Sequence, residues 1–490
     1  MILAIDQGTT GTTCLVFDEE ARIAGRAYSE FEQHFPQPGW VEHDANEIWG
    51  VTRRVAIEAI TDAGIQGAEL DAIGITNQRE TVVAWDPESG EPVHRALVWQ
   101  DRRTAERCEE LRAAGREDLV RERSGLVLDS YFSGTKIEWL LRNAEGADRA
   151  VFGTIDSWLL FKLTGRHATD YTNASRTMLF DIRELSWDPD LCAMLGVDPE
   201  RLPEPLPSAH LFGTTSEFGG EVPVAGVAGD QQAALFGQAC HSAGMAKNTY
   251  GTGSFVLLHT GETVPDPAEG LLTTVACASG KEAAYALEAS IFVTGAAIQW
   301  LRDGLGIIEE PSESEALAAS LEGNDGVYFV PALTGLGSPY WDPYARGAIV
   351  GLTRGSGRAH LARAALEAIA YQTVDAVRAQ EEASREGLAT LKADGGAVAN
   401  RWLMQFQADL LGAPVIVPEI AETTALGAAF LAGIATGRWS AEQVREIWRE
   451  AARYEPGMDP ERRRALHAEW RRAVERARNW ATPGDSAPDA

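Results

Sequence analysis

Apolar and polar residues at the start of the chain fall into two short β-forming runs separated by a polar turn. Ile2, Ala4 and Ile5 lead into Asp6-Gln7-Gly8-Thr9-Thr10-Gly11, and Thr13-Cys14-Leu15-Val16-Phe17 returns. Apolar β-formers around a Gly/Thr turn predict a β-hairpin. The unit recurs where Thr249-Tyr250-Gly251-Thr252-Gly253 leads into Ser254-Phe255-Val256-Leu257-Leu258. Gly8 and Gly251 are 243 positions apart, about half the chain. A repeat at that distance predicts two related domains, since a solenoid repeats every 20–50 residues or so.

Between the hairpins, strands and helices alternate. Ile48, Val51, Val55, Ile57 and Ile60 predict a helix over 45–65. Residues 71–76 and 81–85 predict short strands, with a turn at 86–90, and 135–141 and 156–163 predict helices. Pro203, Pro205 and Pro207 mark a loop. The second half begins with strands at 250–258 and 283–287. Helices follow at 293–302, at 360–379 and, after Gly395-Gly396, at 400–411. Mixed Arg and Glu over 440–480 predict solvated helices, and the tail over 481–490 is predicted to be disordered. A domain boundary is expected at 240–248, dividing the chain into 1–245 and 246–480.

Composition narrows the class. A single core stops growing at about 250–300 residues, so 490 residues again imply two domains. The start has no basic segment before an apolar run and meets Asp6 at once, unlike a signal peptide, and no apolar run is long enough to span a bilayer. Cys14, Cys108, Cys192, Cys240 and Cys277 form no C-x-x-C, which predicts free thiols and a cytoplasmic protein. A net charge of −29 argues against nucleic acid and anionic membranes as partners.

Three glycine turns carry the candidate chemistry. In Asp6-Gln7-Gly8-Thr9-Thr10, backbone N–H groups and hydroxyls could cradle phosphate, with Asp6 placed for a Mg²⁺ shell. An ordinary Asx turn explains the same residues equally well. In Gly226-Val227-Ala228-Gly229-Asp230, the acid could take a proton from a hydroxyl or cap a helix. Asp394-Gly395-Gly396 with Asn400 could admit a nucleotide or be a plain loop. No Walker A motif occurs. Three such turns at the front, middle and last quarter fit two domains facing each other across one cleft.

Longer strings identify a resemblance. Pro38 to Asp44, Gly74 to Thr81, Tyr131 to Asn143 and Gly347 to Glu367 resemble the FGGY carbohydrate kinases, the last two strings matching the two family signatures. Asp170 to Met178 and Gly335 to Asp342 resemble the glycerol-phosphorylating members in particular. The resemblance, which runs from about Ile2 to Trp480, implies an α/β fold of two duplicated ribonuclease-H-like domains, of the actin and hexokinase type, around a central cleft. It implies ATP and Mg²⁺, a small polyol as the other substrate, and a homodimer or homotetramer.

Site roles follow from the resemblance position by position. Asp230 is implied as the catalytic base. Arg79, Glu80, Tyr131, Asp230 and Gln231 are implied to bind the three hydroxyls of glycerol, with Trp99 and Phe255 packing on its carbons. Thr9, Thr10, Gly11, Thr252, Gly295, Gln299, Gly396 and Asn400 are implied around the nucleotide, and Asp6 at the metal. By residue type alone, Arg79–Glu80 reads as a surface ion pair at a strand end, and Trp99 and Phe255 read as core. Gly11 stands where many members have Ser, and Thr13 where many have Arg. The resemblance therefore implies no phosphate contact from either side chain, although the Gly11 N–H could contribute one. Some bacterial members bind fructose 1,6-bisphosphate through a Gly-rich loop carrying Lys and Arg. The matching segment, Thr214 to Pro223, has no basic residue and carries Glu217 and Glu221. Two alternatives remain: a kinase for another polyol or ketose such as xylulose or erythritol, and an actin- or Hsp70-like conformational ATPase.

Overall fold

The computed structural model describes residues 1–278 and 283–482, so residues 483–490 of the expected tail lie outside the described residues. Two large mixed sheets organise the chain. The first runs Ala209–Thr215, Val222–Gly229, Ala72–Asn77, Ile2–Gln7, Gly11–Phe17, Ile23–Glu30. The second runs Glu450–Tyr454, Val415–Pro418, Thr390–Gly395, Met245–Tyr250, Ser254–Gly261, Ala284–Ile291, Leu272–Ala276. In each, an opening hairpin is joined in parallel by two later strands and closed by an antiparallel edge. The second sheet adds one strand, Leu272–Ala276. The half-chain repeat is thus a repeat of topology, with Tyr250 ending the strand before the turn.

Both faces of the first sheet are covered at its centre, which is why residues 2–5 and 14–17 are unbroken apolar runs. Leu3, Ile5, Cys14 and Val16 pack with Ile48, Val55 and Ala59 of the helix Ala45–Asp62. Ile2, Ala4, Leu15 and Phe17 face Ala425, Leu426, Ala429 and Leu431 of a much later helix, Thr423–Ala435. That helix lies in the chain between two strands of the second sheet, Val415–Pro418 and Glu450–Tyr454, yet roofs the first. Gly74 and Gly226 allow the close approach, because a Cβ on either would press on the helix backbone at Ala428 or Ala432. Gly237 and Gly427 do the same between it and the helix Asp230–Gly237.

Two local expectations are corrected. The proline segment contains a strand, Glu204–Leu206, paired in parallel with Ala168–Asp170; Pro205 is tolerated there because a two-stranded ribbon leaves one edge unpaired. Residues 440–480 are not solvated helices throughout. Glu450–Tyr454 is an edge strand, and the helix Pro460–Ala477 buries His467, Trp470 and Val474. Asp375 anchors that helix, accepting hydrogen bonds from His467 Nε2 at 2.6 Å and Trp470 Nε1 at 2.7 Å.

Candidate active site

The first turn closes tightly, Gly8 N–H donating to Gly11 O at 2.9 Å. Gln78 Nε2 donates to Gly8 O at 3.1 Å and Gln33 Nε2 to Thr9 O at 3.0 Å, so the loop is buttressed from below. Thr9 Oγ1 accepts from Trp99 Nε1 at 2.9 Å, whereas Thr10 is exposed at the tip. A Cβ at Gly11 would meet Tyr28 and the Ser29 carbonyl, so Tyr28 occupies the space a side chain there would need.

The second turn closes likewise, Gly251 N–H to Gly253 O at 2.8 Å. The start of the helix Gly295–Asp303 grips it. Gly295 N–H donates to Gly251 O at 3.1 Å and Ala296 N–H to Thr252 O at 3.1 Å. In the third turn Gly395 adopts φ +88° beside the Tyr250 carbonyl, a conformation that favours glycine. Asn400 then caps the helix Arg401–Leu411 through Leu403 N–H at 2.9 Å. The second and third turns meet: Thr252, Gly295, Gln299, Gly396 and Asn400 line one cavity of about 410 Å³, with Ile298, Leu366, Ile369 and Leu403 among its walls.

A cluster of buried charge joins the two halves of the chain. Arg79 donates to Glu288 twice, Nη1 to Oε2 at 2.6 Å and Nη2 to Oε1 at 3.2 Å. Arg176 bridges Glu288 Oε1 at 3.0 Å and Glu80 Oε1 at 2.6 Å. Arg79 Nε lies 3.2 Å from Asp230 Oδ1 and 3.8 Å from Glu80 Oε1. The Arg79 and Glu80 side chains are 2% exposed, so the reading of them as a surface pair is overturned: Glu288, reaching over from the second sheet, covers them. Glu80 also has φ +62°, a strained position for a non-glycine residue and of the kind that gathers at functional sites.

The two buried carboxyls titrate in opposite directions. Glu288 has three guanidinium contacts and is held down at about 2, whereas burial outweighs the arginines at Glu80 and pushes it up. Asp230 differs in access, its side chain being 32% exposed. Gly229, not Asp230, caps the helix, and Asp230 is its first residue, its Oδ1 accepting from Gln231 N–H at 2.7 Å. Gly229 N–H is held by Thr172 Oγ1 at 2.9 Å, and that hydroxyl donates to the buried Asp170 at 2.7 Å. Burial and the charge of Asp230 raise the Asp6 carboxyl to about 7. A carboxylate held at such cost beside a second one suits a cation, and Mg²⁺ binds through one or two carboxylates with water and phosphate oxygens. Among the described residues no group of three or more His, Cys, Asp or Glu forms a closed metal cage.

Tyr131 packs edge-on to Trp99, ring centroids 5.5 Å apart, with the Arg176 guanidinium 5.8 Å from its ring. Phe255 lies on the second sheet opposite Ser290, on the same face as Glu288. Trp99 and Phe255 therefore come from different halves of the chain, and among the described residues no ring contact joins them.

Two family models cover most of the chain: the N-terminal domain of the FGGY family of carbohydrate kinases matches residues 1–237 and its C-terminal domain residues 246–436. The chain belongs to the FGGY family. A glycerol kinase of Symbiobacterium thermophilum is 55% identical over 491 residues, 98% of this chain and 99% of that protein. The crystal structure of Plasmodium falciparum glycerol kinase with ADP superposes with a TM-score of 0.93 at 37% identity, covering 97% of this chain and 98% of that one. A xylulose kinase from Brucella ovis superposes at 0.87 with 24% identity over 97% of each chain, which shows the shared fold alone. Among the described residues no helix of this FGGY kinase is long and apolar enough to cross a membrane.

Arg176 and Glu288 were not among the expected site residues. Arg176 sits inside the Asp170 to Met178 string. Glu288 was visible as a lone acid in the otherwise apolar strand Ala284–Ile291, where an unpaired charge is costly to bury.

Proposed function

We propose that this FGGY kinase transfers the γ-phosphoryl group of ATP to a terminal hydroxyl of glycerol, giving ADP and sn-glycerol 3-phosphate. The observation that carries the reading is the Arg79–Glu288–Arg176–Glu80 cluster beside the more accessible Asp230, set against a separate cavity lined by two glycine turns. A triol needs several fixed donors and acceptors, and a site built for hydroxyls rejects molecules that leave those groups unpaired.

Asp230 accepts the proton of the hydroxyl as its oxygen bonds to the γ-phosphorus. The bond from that phosphorus to the β,γ-bridging oxygen breaks, and ADP keeps the electron pair. Arg79, Glu80, Tyr131 and Gln231 hold the hydroxyls, while Trp99 and Phe255 pack on the carbons. The Thr9–Thr10 and Gly251–Thr252 turns orient the phosphates from opposite sides, with the Gly11 N–H as a further donor. The cavity with Gly295, Gln299, Gly396 and Asn400 takes the nucleoside. Asp6 would hold Mg²⁺ through water and phosphate; bound there, the ion would neutralise phosphate charge. Positioning and charge stabilisation supply most of the rate, and closing the cleft excludes water as the acceptor.

We place the nucleotide site mainly in 246–480 and the polyol site mainly in 1–245. The protein is read as cytoplasmic, which its five buried free thiols support, and as a homodimer or homotetramer. The test is ADP release with glycerol, dihydroxyacetone, xylulose and erythritol. Glycerol should give the highest kcat/KM. A higher value for xylulose or erythritol would replace the substrate, and equal ADP release without any polyol would favour a conformational ATPase.

A further inference from the structure

Lys247 lies on the strand Met245–Tyr250 and is fully buried, yet nothing in the reading above uses it. Its ammonium donates to Gln231 Oε1 and, at 2.9 Å, to Thr249 Oγ1. The charged groups around it are Asp230 on the helix Asp230–Gly237, Asp394 on the strand Thr390–Gly395, Glu288 on the strand Ala284–Ile291, and Arg79 after the strand Ala72–Asn77. Both hydrogen-bond partners are neutral, so the ammonium is not there to complete a salt bridge. An apolar side chain would be far cheaper to bury at this position.

An ammonium can only donate, so it fixes which end of a neighbouring amide faces it. Gln231 must turn its oxygen toward Lys247, which turns Nε2 away. Among the described residues that NH₂ donates to no protein group. Gln231 directly follows Asp230. A hydroxyl giving its proton to Asp230 has only lone pairs left for recognition, and those require a donor. We propose that Lys247 is a positioning residue for the acceptor substrate, locking the Gln231 amide so that its NH₂ meets the hydroxyl being phosphorylated. The inference rests on the polyol-kinase reading of Asp230 and Gln231. It also ties the strand that leads into the second phosphate turn to the residue next to the base.

Burial lowers the Lys247 ammonium to about 8, against the pull of Asp394, Asp230 and Glu288. A neutral amine can accept as well as donate, so above that pH the lock on the amide is released.

The experiment is a double-mutant cycle on the full chain, with Lys247→Met, Gln231→Ala and both, reading KM and kcat for glycerol and for ATP. Losing a charge-assisted hydrogen bond should lower kcat/KM for glycerol roughly 10- to 150-fold in Lys247→Met and leave the ATP KM nearly unchanged. In the Gln231→Ala background the second change should add no more than about twofold. Multiplying effects, a loss confined to ATP, or a glycerol kcat/KM unaffected by Lys247→Met would each overturn the inference. Should Lys247→Met fail to fold, Lys247→Arg decides. The fall in glycerol kcat/KM near pH 8 in the wild type should move to higher pH with arginine, and a fall that stays in place overturns the inference. A wild-type chain that phosphorylates no polyol would sink the functional reading itself; an active wild type with an indifferent Lys247→Met would sink the inference alone.

Discussion

Glu288→Gln removes one charge and almost no volume from the centre of the cleft. Glu288 is fully buried and meets Arg79 at 2.6 and 3.2 Å and Arg176 at 3.0 Å. Breaking a buried pair by neutralising one partner costs about 3–5 kcal/mol, because the remaining charge is uncompensated. The titration of the acid gives a similar figure: a carboxyl held at about 2 against an ordinary 4.5 is favoured as the anion by about 3 kcal/mol. The amide keeps an acceptor and Glu80 still bonds Arg176, so we expect the lower end, about 3 kcal/mol. Urea unfolding at pH 7 measures it. Glu58→Gln, in the exposed Arg54–Glu58 pair, is the control and should lose no more than about 1 kcal/mol.

The folded Glu288 carboxyl is depressed, so its contribution is fully present above pH 4.5 and lost as pH falls through about 2. The gap between wild type and variant should therefore stay constant from pH 8 to pH 5 and close only below that. With Arg79 released, kcat/KM for glycerol should fall while the ATP KM holds. If Glu288→Gln unfolds like the control and uses glycerol normally, the cluster does not organise the cleft.

Asp230→Asn should lower kcat about 10²- to 10⁴-fold while glycerol still binds, and near-normal turnover in the purified variant would remove Asp230 as the base. Asp6 is raised to about 7 in the fold, so its ionisation destabilises the nucleotide-free protein as pH rises through 7 and has no such effect below 3.8. Asp6→Asn should thus stabilise that protein by about 1–3 kcal/mol at pH 8 but not at pH 4, allowing for partial screening by solvent, while Mg²⁺-dependent transfer is lost; identical thermal melts at pH 8 would show that Asp6 carries no strain. Fructose 1,6-bisphosphate at millimolar concentration should not inhibit: the 214–223 loop has no basic residue, and Arg53 beside it is already paired with Glu217 at 2.7 Å. Saturable inhibition beyond a salt control of equal ionic strength would show otherwise.

The two hairpins and their glycine turns were legible because turn chemistry is local: Gly8, Gly251 and Gly395 sit where the backbone bends, whatever lies around them. Residues 2–5 and 14–17, within the strands Ile2–Gln7 and Gly11–Phe17, are apolar at successive positions, as in strands covered on both faces. What covers the second face was not legible. The helix Thr423–Ala435 is apolar all round, which says that it is buried but not under which sheet. The strand Glu450–Tyr454 was missed because its sequence, Glu450-Ala451-Ala452-Arg453-Tyr454, has no period-two alternation of apolar and polar residues and reads like the solvated helices around it. Arg79 was legible as a charge at a strand end. Its partner Glu288 lies 209 positions away, and no local pattern links them.

The same long-range pairing decides how the cleft is built. Arg79 and Gln232 come from the first half of the chain, and their partners Glu288 and Thr274 from the second. Gln231 reaches Lys247 across the same junction. At the far end of the helix that Asp230 begins, Gln238 donates to Asp394 at 2.8 Å, and Thr423, which opens the roofing helix, donates to the same carboxylate at 2.5 Å. The helix carrying Asp230 is therefore tied to the second sheet at both ends, and the roofing helix is tied there at its start. Without the second half, Arg79 and Arg176 would keep Glu80 but lose both Glu288 and the cover that it gives, so the buried cluster exists only where the two halves meet. Contact between the halves and assembly of the charged cluster are thus coupled, because Glu288 reaches Arg79 and Arg176 only when the second sheet is in place.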